Sequence, residues 1–120
     1  MILVSRPSND NLFANRAVLD PPEVTLPVHR IVLRQTLEVV LECVVNAFPM
    51  GVFYWQRGRQ RVTAKTDRCR LEALEESESS LTLRLTIADL RPADYGIYTC
   101  VAWNKLGRRE DSLALLGGYS

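Results

Sequence analysis

The sequence predicts an all-β fold in which two sheets pack face to face and are joined by one disulfide. Cys43, Trp55 and Cys100 have the spacing expected when a disulfide bridges the sheets and an indole packs against it. In segments 37–45 and 81–87 every second residue is apolar, which is typical of strands that commit one face to a core. A small recognition module is therefore a better interpretation than an enzyme.

Composition supports one soluble domain that acts on neither nucleic acid nor a bilayer. The chain has 120 residues, of which 47% are hydrophobic and 24% charged, so it can bury a core beneath an ordinary surface. Fifteen basic and 14 acidic residues leave a net charge of +1, which gives no basic excess for nucleic acid or anionic lipid. No apolar run approaches the roughly 18 residues of a membrane-spanning helix, so no direct membrane insertion is expected.

The predicted domain covers residues 21–117. Asp20-Pro21-Pro22 marks its start, because two prolines force extended backbone and withhold two donors. Residues 1–20 are interpreted as a tail or interdomain linker and residues 118–120 as a C-terminal tail. The apolar run at 2–4 is too short for a signal peptide, and the C-terminal residues do not resemble a lipid-anchor tail. If the domain is extracellular, we therefore expect the chain to be a piece of a longer protein.

Seven or eight strands follow from the alternation and from the turn residues between its segments. Pro27 splits the first strand into 23–26 and 29–33, a position that suits an edge strand. Phe48-Pro49-Met50-Gly51 turns the chain after segment 37–45, and Gly58 ends the strand that contains Trp55. Further strands are expected at 61–63, from Cys69 to Ala73, at 81–87, from Tyr98 to Ala102, and around Leu113 and Leu115.

The cysteines predict one bridge and one thiol. Cys43 and Cys100 both fall on the inward parity of their strands, and sheets facing across a thin sandwich can bring their α-carbons within disulfide range. The bond would contribute roughly 4 kcal/mol and would imply an oxidising compartment. The alternative is a pair of buried free thiols, as in intracellular domains of this kind. Cys69 shares a face with Leu71 and is expected to be a buried thiol, or else exposed enough for an intermolecular bridge.

The segment before Cys100 predicts two further interactions at the base of the sandwich. Tyr98, two residues before that cysteine, is expected to bond backbone a few residues upstream and to join Trp55 and Leu85 in the core. Asp94 can pair with Arg68, the first candidate, or with Arg70. The alternative role of Asp94 is to form the turn in which it lies.

These residues together resemble an immunoglobulin domain of the intermediate set, an immunoglobulin-like β-sandwich with Greek-key topology. The resemblance covers Pro21 to Leu116 and rests on Cys43, Trp55, Leu85, Asp94-x-Gly96-x-Tyr98-x-Cys100 and Ala102-x-Asn104-x-x-Gly107. In the family's last turn, asparagine and glycine are expected to supply unusual backbone angles.

A narrower resemblance concerns neuronal adhesion proteins. Leu41-Glu42-Cys43-Val44-Val45-Asn46-Ala47-Phe48-Pro49, with Asn104-Lys105-Leu106-Gly107, is similar to the third, membrane-proximal domain of the lachesin, Dpr-interacting-protein and IgLON group. The resemblance implies an extracellular or cell-surface location and other cell-surface immunoglobulin-domain proteins as partners, homophilic or heterophilic. Cys69 departs from the family, which usually has an aromatic residue there.

No catalytic, metal or cofactor site is expected. His29 is the single histidine and is interpreted as a solvated edge residue. The cysteines lack the close spacing of zinc ligands. The acidic run Glu75-Glu76-Ser77-Glu78 lacks the alternating ligands and glycine of a calcium loop, so it is interpreted as a solvated turn.

The predicted binding face consists of Val52, Tyr54, Val101 and Trp103, which point away from the core if Trp55 and Cys100 point into it. Adjacent outward apolar and aromatic residues suit a protein partner. The alternatives are that other segments cover them or that they are ordinary sheet residues.

The predicted function is that of an extracellular, neuronal adhesion or recognition module that either binds a partner or spaces other domains. A second class is an intracellular structural domain of the titin or myosin-binding type. The ectodomain of a growth-factor or guidance receptor is a further alternative.

Overall fold

The computed structural model describes residues 20–64 and 66–118, and this part of the chain forms two packed sheets, as predicted. The strands are β1 Asp20–Thr25, β2 Arg30–Leu33, β3 Val39–Phe48, β4 Val52–Arg57, β5 Gln60–Arg61, β6 Cys69–Ser77, β7 Ser80–Ile87, β8 Gly96–Asn104 and β9 Gly107–Gly117. One sheet has the order β1-β3-β7-β6 and the other β2-β9-β8-β4-β5. A 3-10 turn at Pro92–Asp94 precedes β8.

The first predicted strand is divided between the two sheets, which confirms its split. β1 pairs antiparallel with β3, whereas β2 pairs parallel with β9. Pro27 lies in the crossing segment, where its missing amide hydrogen removes no ladder bond. Leu26, in the same segment, is buried and fills the core beneath the crossing.

The strands run between two ends of the sandwich. At the entry end, β1 begins opposite Phe48, and the β3–β4, β6–β7 and β8–β9 turns lie together. At the exit end, β9 finishes beside Leu33, near the β4–β5 turn and the 3-10 turn.

The core lies between the sheets and is centred on the disulfide. Cys43 and Cys100 are bonded, with their α-carbons 6.4 Å apart, so the predicted bridge is confirmed. Trp55 has no exposed surface, and its indole N–H donates to the carbonyl of Leu83 at 3.2 Å. Leu85 is also fully buried, directly across the β3–β7 ladder from Leu41. Every second residue of β3 is buried, as period two requires.

The predicted N-terminal tail lies outside the described residues except for Asp20, which begins β1 rather than ending a linker. Gly118 is described, and its amide donates to the carbonyl of Leu33 at 3.1 Å. Within the described ranges no helix has the length and apolar character needed to cross a bilayer.

Candidate interaction face

The outer face of the five-stranded sheet brings the predicted binding residues onto two adjacent strands. Tyr54 lies across the β4–β8 ladder from Val101, and Val52 lies across from Trp103. Trp103 is 44% exposed, whereas Val52 and Tyr54 are half-buried. We call Val52, Tyr54 and Trp103 the β4–β8 face. An indole of this size, accessible beside a phenol, is the type of residue that dominates protein interfaces.

Val101 requires a correction, because it has no exposed surface at all. Strand parity correctly predicts that the Val101 side chain points away from the core. However, Tyr54 of β4 and Glu110 of β9 lie directly across from it on either side. A partner therefore cannot contact Val101 unless its neighbours move. The residue supports the β4–β8 face from below instead of forming part of it.

Two arginines that the sequence analysis did not include border this face. The guanidinium of Arg61 lies 4.5 Å from the centroid of the Tyr54 ring. Arg108 stands opposite Trp103 in the β8–β9 ladder and pairs with Glu110 at 3.3 Å. A guanidinium stacked on an aromatic ring keeps its edge N–H groups available for a carboxylate or carbonyl. The sequence feature that could have indicated Arg61 is its position just after the turn at Gly58. A short hairpin there brings the residue back beside β4.

The β3–β4 turn fixes the backbone at Trp103. Gly51 has φ +76°, and a Cβ there would lie 2.3 Å from the carbonyl oxygen of Trp103. Asn104 has a different role from the one expected: its side-chain amide donates to the carbonyl of Pro49 at 2.9 Å, and its side-chain oxygen accepts from the amide of Leu106 at 2.8 Å. Neither Asn104 nor Gly107 has a positive φ. Asn104 therefore joins two turns through its side chain, without unusual backbone angles.

Tyr98 forms a tyrosine corner at the exit end. Its hydroxyl donates to the carbonyl of Asp94, four residues upstream, and its side chain is 2% exposed. Burial raises the pKa of the Tyr98 hydroxyl to about 12, since the phenolate would lose its water. The corner staples the 3-10 turn to the start of β8.

Asp94 pairs with Arg68 and not with Arg70. The Arg68 guanidinium donates two hydrogen bonds to its carboxylate, at 2.7 and 3.3 Å, and the backbone amide of Arg91 donates a third at 2.8 Å. Partial burial acts to raise the pKa of the Asp94 carboxyl, but the bonds from Arg68 and Arg91 outweigh it and leave the pKa lowered. Asp94 therefore combines both of its predicted roles, because it also closes the turn.

The remaining titratable candidates offer little chemistry. His29 is largely exposed, and its imidazole lies 2.9 Å from the carboxylate of Asp111. Burial acts to raise the pKa of the Asp111 carboxyl, but the hydrogen bond from His29 outweighs it and leaves the pKa lowered. No three histidine, cysteine, aspartate or glutamate residues of the described ranges cluster closely enough to hold a metal ion. Cys69 is free but only half-buried, which corrects the expectation of a buried thiol, and it lines a cleft of about 900 Å³ at the exit end.

A two-sheet sandwich with a central disulfide and a tyrosine corner is the architecture of one known protein family, and the sequence of this chain matches that family. The family described as "Immunoglobulin domain" matches residues 21–104. The chain belongs to the immunoglobulin domain family.

Relatives of this immunoglobulin domain include two proteins of the mouse. It is 33% identical over 106 residues to "Cell adhesion molecule-related/down-regulated by oncogenes" from Mus musculus, which covers 88% of the chain and 7% of that protein. It is 34% identical over 80 residues to the mouse "Limbic system-associated membrane protein", which covers 67% of the chain and 22% of that protein. The chain thus spans a small part of each relative.

Solved structures give the same result. A chain in the crystal structure of Dpr2 Ig1-Ig2 in complex with DIP-Theta Ig1-Ig3 has a TM-score of 0.78 and 29% identity, over 83% of this domain and 33% of that chain. Chimeric titin Z1Z2 has a TM-score of 0.69 at 22% identity, over 85% of this domain and 98% of that chain, which shows the fold alone. The resemblance to the neuronal adhesion group is confirmed.

Proposed function

We propose that this immunoglobulin domain is an extracellular module of a cell-surface adhesion or recognition protein and that it binds a partner protein through the β4–β8 face. The observation that supports this most directly is the exposed indole of Trp103 beside the half-buried Tyr54. The Arg61 guanidinium over Tyr54 adds a charged rim to an aromatic centre. This arrangement matches the anatomy of a binding hot spot, in which an aromatic anchor is surrounded by polar groups.

The disulfide favours the extracellular class over the intracellular structural one. Cys43 and Cys100 are bonded in the centre of the core, and such bonds persist in oxidising compartments. Chimeric titin Z1Z2 shares the fold, but at 22% identity it supports no statement about function. The relatives above 30% identity have names of adhesion and membrane proteins, in agreement with a cell-surface location.

The partner that we propose is another cell-surface immunoglobulin-domain protein, engaged homophilically or heterophilically. One solved relative comes from a complex of two proteins with Ig domains, Dpr2 and DIP-Theta. The domain acts in this proposal by association and without catalysis. A domain with an unused β4–β8 face would instead serve as a spacer between other domains.

A matched pair of variants tests the binding face. In the full-length protein, replacing Tyr54 and Trp103 with alanine is expected to weaken binding to a panel of immunoglobulin-domain ectodomains, including its own, by about 1 kcal/mol or more. Val40→Ala is the control, since Val40 is 45% exposed on the opposite sheet. Full affinity in the folded double variant would eliminate the binding proposal and leave the spacer function.

The compartment is tested separately by mass. Protein secreted from cells should gain two hydrogens on reduction, at Cys43 and Cys100. Free thiols at both positions in the native protein would support the intracellular class.

A further inference from the structure

One side of the sandwich is bordered by the two edge strands β5 and β6. The disulfide stacks β3 over β8, and the bond from Trp55 to Leu83 stacks β4 over β7. The next strands outwards are β5 in one sheet and β6 in the other, so both edges meet on the same side. We call this side the open side. The cleft of about 900 Å³ contains residues from both edges, among them Arg61 and Cys69.

The exit end of the open side is basic. Arg57, Arg59 and Arg61 lie on the β4–β5 hairpin and are all exposed. In the described part of the chain none of the three pairs with a carboxylate, in contrast to Arg68 and Arg84. Arg57 donates only to the carbonyl of Tyr95, at 3.2 Å. Arg59 and Arg61 thus present charges without a carboxylate partner, whereas Arg57 lies 5.8 Å from the centroid of the Tyr98 ring and its charge helps to lower the pKa of Asp94.

The entry end of the same side is acidic. Glu75 and Glu76 lie near the end of β6, and Glu78 follows in the β6–β7 turn. All three are exposed, and among the described residues none forms an ion pair. Glu72, three residues before Glu75 in β6, differs because its carboxylate lies 3.7 Å from the guanidinium of Arg84.

The two clusters cannot neutralise each other within one molecule. β6 begins with Cys69 at the exit end and finishes with Ser77 at the entry end, and eight steps of a strand cover about 26 Å. Glu75, the nearest of the three acids, is still six steps or about 20 Å from Cys69. Charges at that separation in water are screened, since the Debye length is about 8 Å at physiological salt. The open side is therefore a dipolar edge, basic at one end and acidic at the other.

We propose that this edge binds a second copy of the chain. A two-fold axis that lies in the plane between two open sides sets the two edges antiparallel. Arg57, Arg59 and Arg61 of one copy then face Glu75, Glu76 and Glu78 of the other. Symmetry repeats the contact, and both sets of charges are matched twice. The cleft beside the basic hairpin provides room for the acidic end of the partner copy. The unpaired outer edges of β5 and β6 add backbone groups to the contact.

This self-association goes beyond the proposed function, because it uses the sheet edges and not the indole of Trp103. The two can fail independently. A chain that loses its dimer while keeping its partner on the β4–β8 face would refute only this inference, and the converse would refute only the proposed function.

A charge exchange tests the dimer. Sedimentation velocity over a concentration series, in the Cys69→Ser background to prevent an intermolecular disulfide, should show a monomer–dimer equilibrium whose Kd rises at least about tenfold between low and high salt. Arg57→Glu with Arg59→Glu, which leaves Arg61 beside Tyr54 unchanged, should abolish the dimer, as should Glu75→Arg with Glu76→Arg. Mixing the two charge variants should restore a heterodimer, because each end then meets its opposite. Trp103→Ala should leave this salt-dependent dimer unchanged, which distinguishes it from a homophilic contact through the β4–β8 face.

Three results would overturn the proposal. These are a monomer at every concentration and salt, a dimer that survives both charge variants, or variants that stay monomeric when mixed although their far-ultraviolet spectra and melting curves show a folded chain. Binding of a heparin oligosaccharide by a strictly monomeric chain, lost in the Arg57 and Arg59 variant, would assign the basic hairpin to a sulfated polymer instead.

Discussion

The guanidinium of Arg68 holds the carboxylate of Asp94 through two hydrogen bonds, at 2.7 and 3.3 Å. Arg68 immediately precedes β6 in one sheet, and Asp94 ends the 3-10 turn before β8 in the other. The ion pair therefore ties the two sheets together at the exit end, where the disulfide does not reach.

Asp94→Asn is expected to lower the melting temperature at neutral pH by roughly 4–8 °C, because Arg68 loses its charged partner. The pKa of Asp94 is lowered from 3.8 on folding, so the pair stabilises fully above that value and its contribution is lost as pH falls through the folded pKa. Melting curves between pH 2 and 7 would show the difference. An equally steep acid dependence in both proteins would assign it to other carboxyls.

Tyr98→Phe is expected to cost about 1 kcal/mol at neutral pH, since the carbonyl of Asp94 loses its donor. Folding raises the pKa of the Tyr98 hydroxyl from 10.0 to about 12, so the unfolded chain releases this proton first. The contribution is fully present below about pH 10 and is lost as pH rises towards 12. Denaturant unfolding at pH 9, 10 and 11 should show a smaller loss in the phenylalanine variant, and parallel losses would contradict the corner.

The two tryptophans are expected to differ sharply in their effect on stability. Trp55→Ala empties the centre of the core and should cost roughly 3–5 kcal/mol, more than any other aromatic truncation in the chain. Trp103→Ala should cost less than about 1 kcal/mol, because the residue is 44% exposed and lies outside the core between the sheets. Urea unfolding of both variants provides the comparison. Similar losses would mean that the indole of Trp103 belongs to the packed structure.

Cys69 should be the one cysteine that an alkylating reagent reaches in the native chain. The thiol is free and half-buried, whereas Cys43 and Cys100 are bonded and fully buried. Intact mass after treatment with iodoacetamide is expected to show one adduct, and peptide mapping should locate it at Cys69. Unreacted protein together with a disulfide-linked dimer would support the intermolecular bridge.

The inward side of the sandwich could be predicted from the sequence because packing leaves a periodic record there. Cys43, Leu85 and Cys100 are each the inward member of an alternating strand, and each is fully buried. The short strand expected at 61–63 lies at Gln60–Arg61 instead. Two residues contain too few alternations to fix their own bounds.

The outward side was predicted less well, because parity gives the direction of a side chain and not what covers it. Val101 points outwards and is still buried, since the ladder places Tyr54 and Glu110 beside it. The same limit applies to Arg61, whose contact with Tyr54 depends on the fold of a hairpin. Such contacts join residues on different strands, and the periodic pattern within one strand does not indicate which residues lie across from it.

The parallel pairing of β2 with β9 determines how the domain responds to tension. A force that enters at β1 and leaves at the end of β9 acts between opposite ends of the sandwich and slides β2 along β9, so their hydrogen bonds share the load and must rupture together. If these strands detach, the Cys43–Cys100 bond still prevents extension of the segment between cysteines separated by 57 positions. Within the described residues, stretching is then confined to segments 20–42 and 101–118, which limits the elongation of the domain.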